Sequence, residues 1–100
     1  MITSGTRLES QVCDTQVIVI KATDAIAGLR CGGTPMVNLG AAKDARAVID
    51  PEFAHGTAVG KRYVHATGAE ILVTRAGVGT LDVDAVPLDL KEAKQLPSSD

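Results

Sequence analysis

Aromatic side chains are nearly missing from this 100-residue chain, which has one Tyr, one Phe and no Trp. With so little for bases to stack on, and with a formal net charge of -2 in place of a basic footprint, nucleic acid is not an expected partner. No apolar run approaches the roughly 20 residues of a membrane span. The opening Met1-Ile2-Thr3-Ser4-Gly5 also lacks the charged-then-apolar layout of a secretory signal. The expectation is a soluble cytoplasmic protein that engages neither nucleic acid nor membrane. Cysteine is scarce as well, at two residues. In a reducing compartment such a pair reads as thiols, metal ligands or a transient redox couple sooner than as a structural disulfide. A core built from so short a chain is marginal unless something staples it or two halves share it.

What the chain does contain is an internal echo. Leu29-Arg30-Cys31-Gly32-Gly33-Thr34-Pro35-Met36 returns, without its cysteine, as Leu81-Asp82-Val83-Asp84-Ala85-Val86-Pro87-Leu88. Upstream, Val17-Ile18-Val19-Ile20 lies over Ile71-Leu72-Val73-Thr74, and Gly5-Thr6-Arg7-Leu8 over Gly60-Lys61-Arg62-Tyr63. Two short deletions bring the halves into register, the pattern expected of a tandem repeat.

In chain order, the β-branched run at 17–20 has no helical stripe and predicts a strand buried on both faces, preceded by an alternating segment at 7–12. Residues 23–28 form a turn ending in glycine. Gly32-Gly33 takes positive φ at little steric cost, and Pro35 fixes an extended exit, so residues 29–39 predict a tight knuckle between two strands. Residues 41–59 are an alanine-rich bridge: a turn or two of helix over 41–47, a short helix laid on the sheet through Val48, Ile49 and Phe53, or an extended crossover. Phe53 is expected to anchor in the core. In the second half, 62–65 and 70–74 predict strands, Gly77-Val78-Gly79 a short hairpin, Leu81-Asp82-Val83-Asp84 a half-exposed strand and 86–90 the exit strand. The domain reading is a first repeat over 1–40, a linker or short helix over 41–59, a second repeat over 60–95 and a flexible tail over 96–100.

The first repeat resembles desulforedoxin and the N-terminal domain of desulfoferrodoxin, relatives of rubredoxin. That family carries Cys-x2-Cys before an apolar strand, then Leu-x-Cys-Cys-Gly followed shortly by Met. Here Ser10-Gln11-Val12-Cys13 precedes Val17-Ile18-Val19-Ile20, and Leu29-Arg30-Cys31-Gly32-Gly33-Thr34-Pro35-Met36 follows. Cys13 and Cys31 match ligand positions, while Ser10 and Gly32 stand where two further ligands belong. In the second repeat Thr67 stands opposite Cys13, Val83 opposite Cys31 and Asp84 opposite Gly32, with His65 near the remaining position, so no iron site of the family's kind forms there. The resemblance implies a mainly β fold of tandem rubredoxin/desulforedoxin-like antiparallel repeats. Because desulforedoxin is a two-fold homodimer, it implies one pseudo-two-fold domain in which that dimer is fused into a single chain.

The resemblance also implies that the Cys13 and Cys31 sulfurs face each other, roughly 3.7 Å apart if metal–sulfur distances of about 2.3 Å are kept. Three readings of the pair stand: buried thiols left by a lost metal site, a reversible disulfide, or an incomplete iron or zinc site. The expectation is no cofactor, with iron or zinc as the alternative. His65 with Asp82 and Asp84 is a weaker ligand or acid-base set, read as solvated surface, and His55 is expected to be exposed. No serine has a histidine at a telling spacing, so catalysis is not indicated. The functional expectation is a small non-catalytic accessory or interaction module that meets a larger protein or another copy through its sheet edges. The alternative is a redox or electron-transfer protein using Cys13 and Cys31.

Overall fold

The two longest strands, β2 (Gln16–Lys21) and β7 (Glu70–Arg75), are also the most β-branched, and they lie side by side at the centre of the molecule. In the computed structural model, which describes residues 2–91, they head a mainly β protein of two antiparallel sheets with no α-helix among the described residues. The six-stranded sheet adds β1 (Arg7–Glu9) and β5 (Val37–Asn38) on one flank, and β6 (Arg62–Val64) and β10 (Asp89–Leu90) on the other. Its order is β10-β6-β7-β2-β1-β5. The four-stranded sheet runs β4-β3-β8-β9, with β3 (Leu29–Cys31), β4 (Thr34–Pro35), β8 (Leu81–Val83) and β9 (Val86–Pro87).

Alternation along these strands makes the core. Leu8, Val17, Val19, Ile71 and Val73 are buried and meet Leu29, Cys31, Leu81 and Val83, with Ile26, Met36 and Leu88 in the same cluster. Each such side chain removed from water contributes about 1.5–3 kcal/mol. The reading of the 17–20 run as buried on both faces is corrected here, since Ile18 and Ile20 are only half-buried on the outer face. Leu81-Asp82-Val83 departs from its expected half-exposure in the other direction, being buried throughout. Asp82 can be hidden because Arg30 is its direct partner across the β3–β8 ladder.

Four connections cross between the sheets, two of them only the single residues Met36 (β4 to β5) and Leu88 (β9 to β10). A 3-10 helix at Asp24–Gly28 carries β2 into β3, and residues 76–80 carry β7 into β8. The expected Gly77-Val78-Gly79 hairpin is therefore replaced by a crossing, since β7 and β8 belong to different sheets and do not pair. The tight turns lie elsewhere, at Gly32-Gly33 (φ 66 and 83) and at Asp84-Ala85 (φ 53 and 65).

The bridge forms no α-helix over 41–47 and runs irregularly across the molecule, with one short 3-10 helix at Pro51–Phe53. Its alanines are held out of helix by tertiary contacts: Asp44 N–H donates to Gln11 Oε1 at 2.8 Å, Gly40 N–H to Glu9 Oε2 at 2.9 Å, and Lys43 pairs with Glu9 at 2.6 Å. Farther on it becomes a strap. Asp50 N–H donates to Gly32 O, Thr80 N–H to Phe53 O, and Gly56 and Thr57 N–H to Val78 and Gly77 O. Val48 is 79% exposed, and Phe53 is half-buried outside the core cluster with the Arg30 guanidinium 5.3 Å from its ring centroid. Both expectations for these side chains are thus corrected, because the strap crosses the far side of the small sheet and never enters the core. The expected tail over 96–100 and the end of the second repeat lie outside the described residues.

Candidate functional site

Ser10 directly follows the first strand and is fully buried, and its hydroxyl organises the loop it opens. Ser10 Oγ accepts the N–H of Val12 and of Cys13, each at 3.1 Å, while Ser10 N–H donates to Thr15 O at 2.9 Å. The serine thus holds the loop through its side-chain oxygen. His65 organises the turn before β7, Nδ1 accepting the Thr67 N–H at 3.1 Å and lying 2.8 Å from Thr67 Oγ1.

The loop presents Cys13, half-buried, to Cys31 on β3, which is fully buried. Their sulfurs are 3.8 Å apart and both thiols are free. Cys13 Sγ also donates to Thr15 Oγ1 at 3.3 Å and accepts the Gly79 N–H at 3.4 Å. Burial pushes the Cys13 thiol up, but hydrogen bonds from the Ser10 and Thr15 side chains and from the Thr15 and Gly79 backbone outweigh it and bring its pKa to about 7. Burial pushes Cys31 up to about 12, helped by the charge of a Cys13 thiolate. One thiol is ready to ionise and the other is kept neutral.

The remaining corner of the site is filled. A Cβ built on Gly32 would lie 2.6 Å from Val12 Cγ2 and 3.0 Å from Ile49 Cγ1, so a side chain there would collide with the loop and the strap. Two thiols, one serine oxygen already engaged by two amides and an aliphatic wall do not fit the four donors that structural zinc or iron–thiolate sites use. Among the described residues no three His, Cys, Asp or Glu side chains gather into a ligand set. Among the described residues no helix is long and apolar enough to cross a membrane.

Glycine is required at 77 and 79 because the crossing presses on the thiol loop. A Cβ at Gly77 would sit 2.4 Å from Thr15 Oγ1 and 2.5 Å from Thr15 N, and one at Gly79 would sit 2.8 Å from Cys31 Sγ and 3.1 Å from Cys13 Sγ. The other candidates are not brought together. Asp82 turns to Arg30, His65 to Thr67, and Asp84 and His55 are exposed. Sequence reasoning missed Thr15, Gly79 and the Val12–Ile49 wall. It also missed buried Glu70, held by Arg62 and Lys91. The halves' alignment signals only the last of these, by setting Glu70 opposite uncharged Gln16. Compared with family models, curated proteins and solved structures, the chain gives no match.

Proposed function

We propose that this chain is a desulforedoxin-like dimer fused in tandem, a rubredoxin-like scaffold without its metal that serves as a non-catalytic accessory module binding another protein. The recurrence of ladder contacts supports the tandem reading. Gly5 N–H to Val19 O recurs as Gly60 N–H to Val73 O, Ser10 N–H to Thr15 O as His65 N–H to Ala69 O, and Met36 N–H to Leu29 O as Leu88 N–H to Leu81 O. Ile18 faces Leu72 and Arg30 faces Asp82, the self-pairing of equivalent positions that a pseudo-two-fold arrangement requires, which supports the same reading.

The observation that carries the accessory reading is the filled corner at Gly32: Val12 and Ile49 pack where a fourth ligand belongs. Scaffold and packing are kept, and the metal chemistry is not. The four-stranded sheet has Pro35 and Pro87 on its outer strands, which blunts both edges. The open edges are β5 and β10, flanked by Leu39 at 44% and Leu90 at 46% exposure, and these are the surfaces for strand addition by a partner or a second copy. Elemental analysis of the native protein should find below about 0.1 iron or zinc per chain. Stoichiometric metal, lost with function in Cys13→Ser/Cys31→Ser, overturns the reading. Association through the β5 edge should vanish in Asn38→Pro while the fold persists, because in the β1–β5 register the Asn38 N–H points away from β1, whereas that of Val37 points towards it.

A second reading, thiol–disulfide chemistry, is favoured by the 3.8 Å sulfur separation together with a thiolate-prone, half-buried Cys13 beside a buried Cys31.

A further inference from the structure

The two flanks of the six-stranded sheet differ in charge. In the second half Glu70 is buried, its Oε2 held by Arg62 Nη1 at 3.1 Å and its Oε1 by Lys91 Nζ at 2.8 Å. The Lys91 hydrogen bond outweighs desolvation, and with Arg62 it holds the Glu70 carboxyl below its usual range. In the first half the same ladder positions carry Gln16 for Glu70, Arg7 for Arg62 and Leu39 for Lys91. The arginine is kept, and its internal carboxylate is gone.

Arg7 instead lines a cavity of about 430 Å³, together with Arg75, Gln16, Ile18, Leu39 and Thr74. Among the described residues neither arginine makes an ion pair. Glu9, the carboxylate on the same strand as Arg7, is taken up by Lys43 and the Gly40 N–H. Two guanidiniums are forks of donors matched to a carboxylate, and Ile18 and Leu39 offer apolar surface to the methylenes that carry one.

We propose that this cavity docks a glutamate side chain from an acidic segment of a partner protein, whose carboxylate takes between Arg7 and Arg75 the role Glu70 fills internally at the other flank. The proposal rests on the tandem reading and gives the accessory module's partner a chemistry. The chain's own net charge of -2 would repel an acidic segment in general, so the attraction must be local to this cavity.

The test is an NMR titration of the full isotope-labelled chain with acetyl-hexaglutamate amide as the probe. Saturable shifts of the Arg7 and Arg75 Nε–H signals are expected, weakening as salt rises. Arg7→Gln and Arg75→Gln should each lower affinity about tenfold, while Lys61→Gln, the same charge change on the other half, should leave it within about twofold. Gln16→Glu restores the internal carboxylate and should also lower affinity about tenfold by occupying the site. Absence of saturable shifts, equal weakening in Lys61→Gln, or tighter binding of inorganic phosphate than of the peptide overturns the proposal. If Arg7→Gln abolishes binding but Gln16→Glu does not, the docking site stands and the tandem equivalence falls. If nothing binds, yet the carboxyl introduced by Gln16→Glu titrates below the usual range, the equivalence stands and the docking site falls.

Discussion

Asp82 Oδ2 lies 2.8 Å from Arg30 Nη2 and 3.0 Å from Arg30 Nε, and the two residues face each other directly across the β3–β8 ladder. If the halves are tandem copies, these are the same position in each. A symmetric homodimer would set like against like there, arginine on arginine or aspartate on aspartate. Only a fused chain can place opposite charges at both sides of such an axis. Asp82 is fully buried and its Oδ1 has no partner among the described residues, so removing the cation leaves an uncompensated charge. Arg30→Leu should cost about 3 kcal/mol, at the lower end for a broken buried pair because the Arg30 side chain is 31% exposed. Arg30→Asp with Asp82→Arg should recover more than half of the summed single losses. Recovery falls short of complete because Phe53 loses its cation and the Ala85 N–H its acceptor. Urea denaturation of the four proteins checks this, and additivity of the two single losses would count against it.

A related asymmetry sits in the two hairpin turns. The β3–β4 turn uses Gly32 and Gly33 for its two positive φ angles, whereas the β8–β9 turn puts Asp84 and Ala85 at φ 53 and 65. Aspartate tolerates that region, but alanine has neither the side-chain hydrogen bond nor the freedom of glycine. Ala85→Gly should therefore stabilise the protein by about 1 kcal/mol, with a smaller gain for Asp84→Gly, measured as an increase in denaturation midpoint at unchanged slope. In the other turn Gly33→Ala should be destabilising, since its Cβ would meet Asp50 Cβ at 2.8 Å as well as a positive φ.

Much of this was legible in the sequence because it is written as local pattern. The β-branched runs at 17–20 and 71–74 became the central strands. The adjacency of Cys13 and Cys31 was expected from the resemblance alone, and their sulfurs do lie 3.8 Å apart. What was not legible depends on contacts between distant segments. Residues 41–47 have helical composition but give their backbone donors and side chains to Gln11 and Glu9, and propensity yields to these. Asp82 reads as a surface carboxylate until Arg30 is seen beside it. Gly77 and Gly79 suggest a hairpin by composition, yet neither has positive φ, and only crowding by Thr15 and the two sulfurs explains them.

That crowding yields a test of the crossing. Gly77→Ala would drive a methyl into Thr15 N, and Gly79→Ala into Gly32 N at 2.9 Å and both sulfurs. Backbone atoms cannot swing aside as a flexible side chain can. Each substitution should cost about 1–3 kcal/mol, and Gly79→Ala should in addition shift the ionisation of Cys13 upward by displacing its N–H donor. Gly68→Ala meets no atom within 4 Å but sits at φ 96, so it reports backbone strain without the clash.

The thiol pair sets the last prediction, which concerns pH. Cys13, brought down to about 7 from 9.0, favours its ionised form in the folded state, so its stabilisation is present above pH 9 and is lost as pH falls through 7. Cys31, pushed up to about 12, favours its neutral form, so its contribution is present below pH 9 and is lost as pH rises through 12. The two thiols together should make stability climb between pH 7 and 9 and decline above it, and Cys13→Ser/Cys31→Ser should flatten both slopes. Alkylation by iodoacetamide should modify Cys13 with a midpoint near pH 7 and leave Cys31 untouched until the protein unfolds. Mild diamide should close the bridge, since sulfurs 3.8 Å apart need only a short approach to bonding distance. In the chain-entropy account the closed loop adds about 3 kcal/mol. Equal alkylation of both cysteines in the folded protein, or a diamide product linked between chains, would show that the asymmetry of the pair does not govern its chemistry.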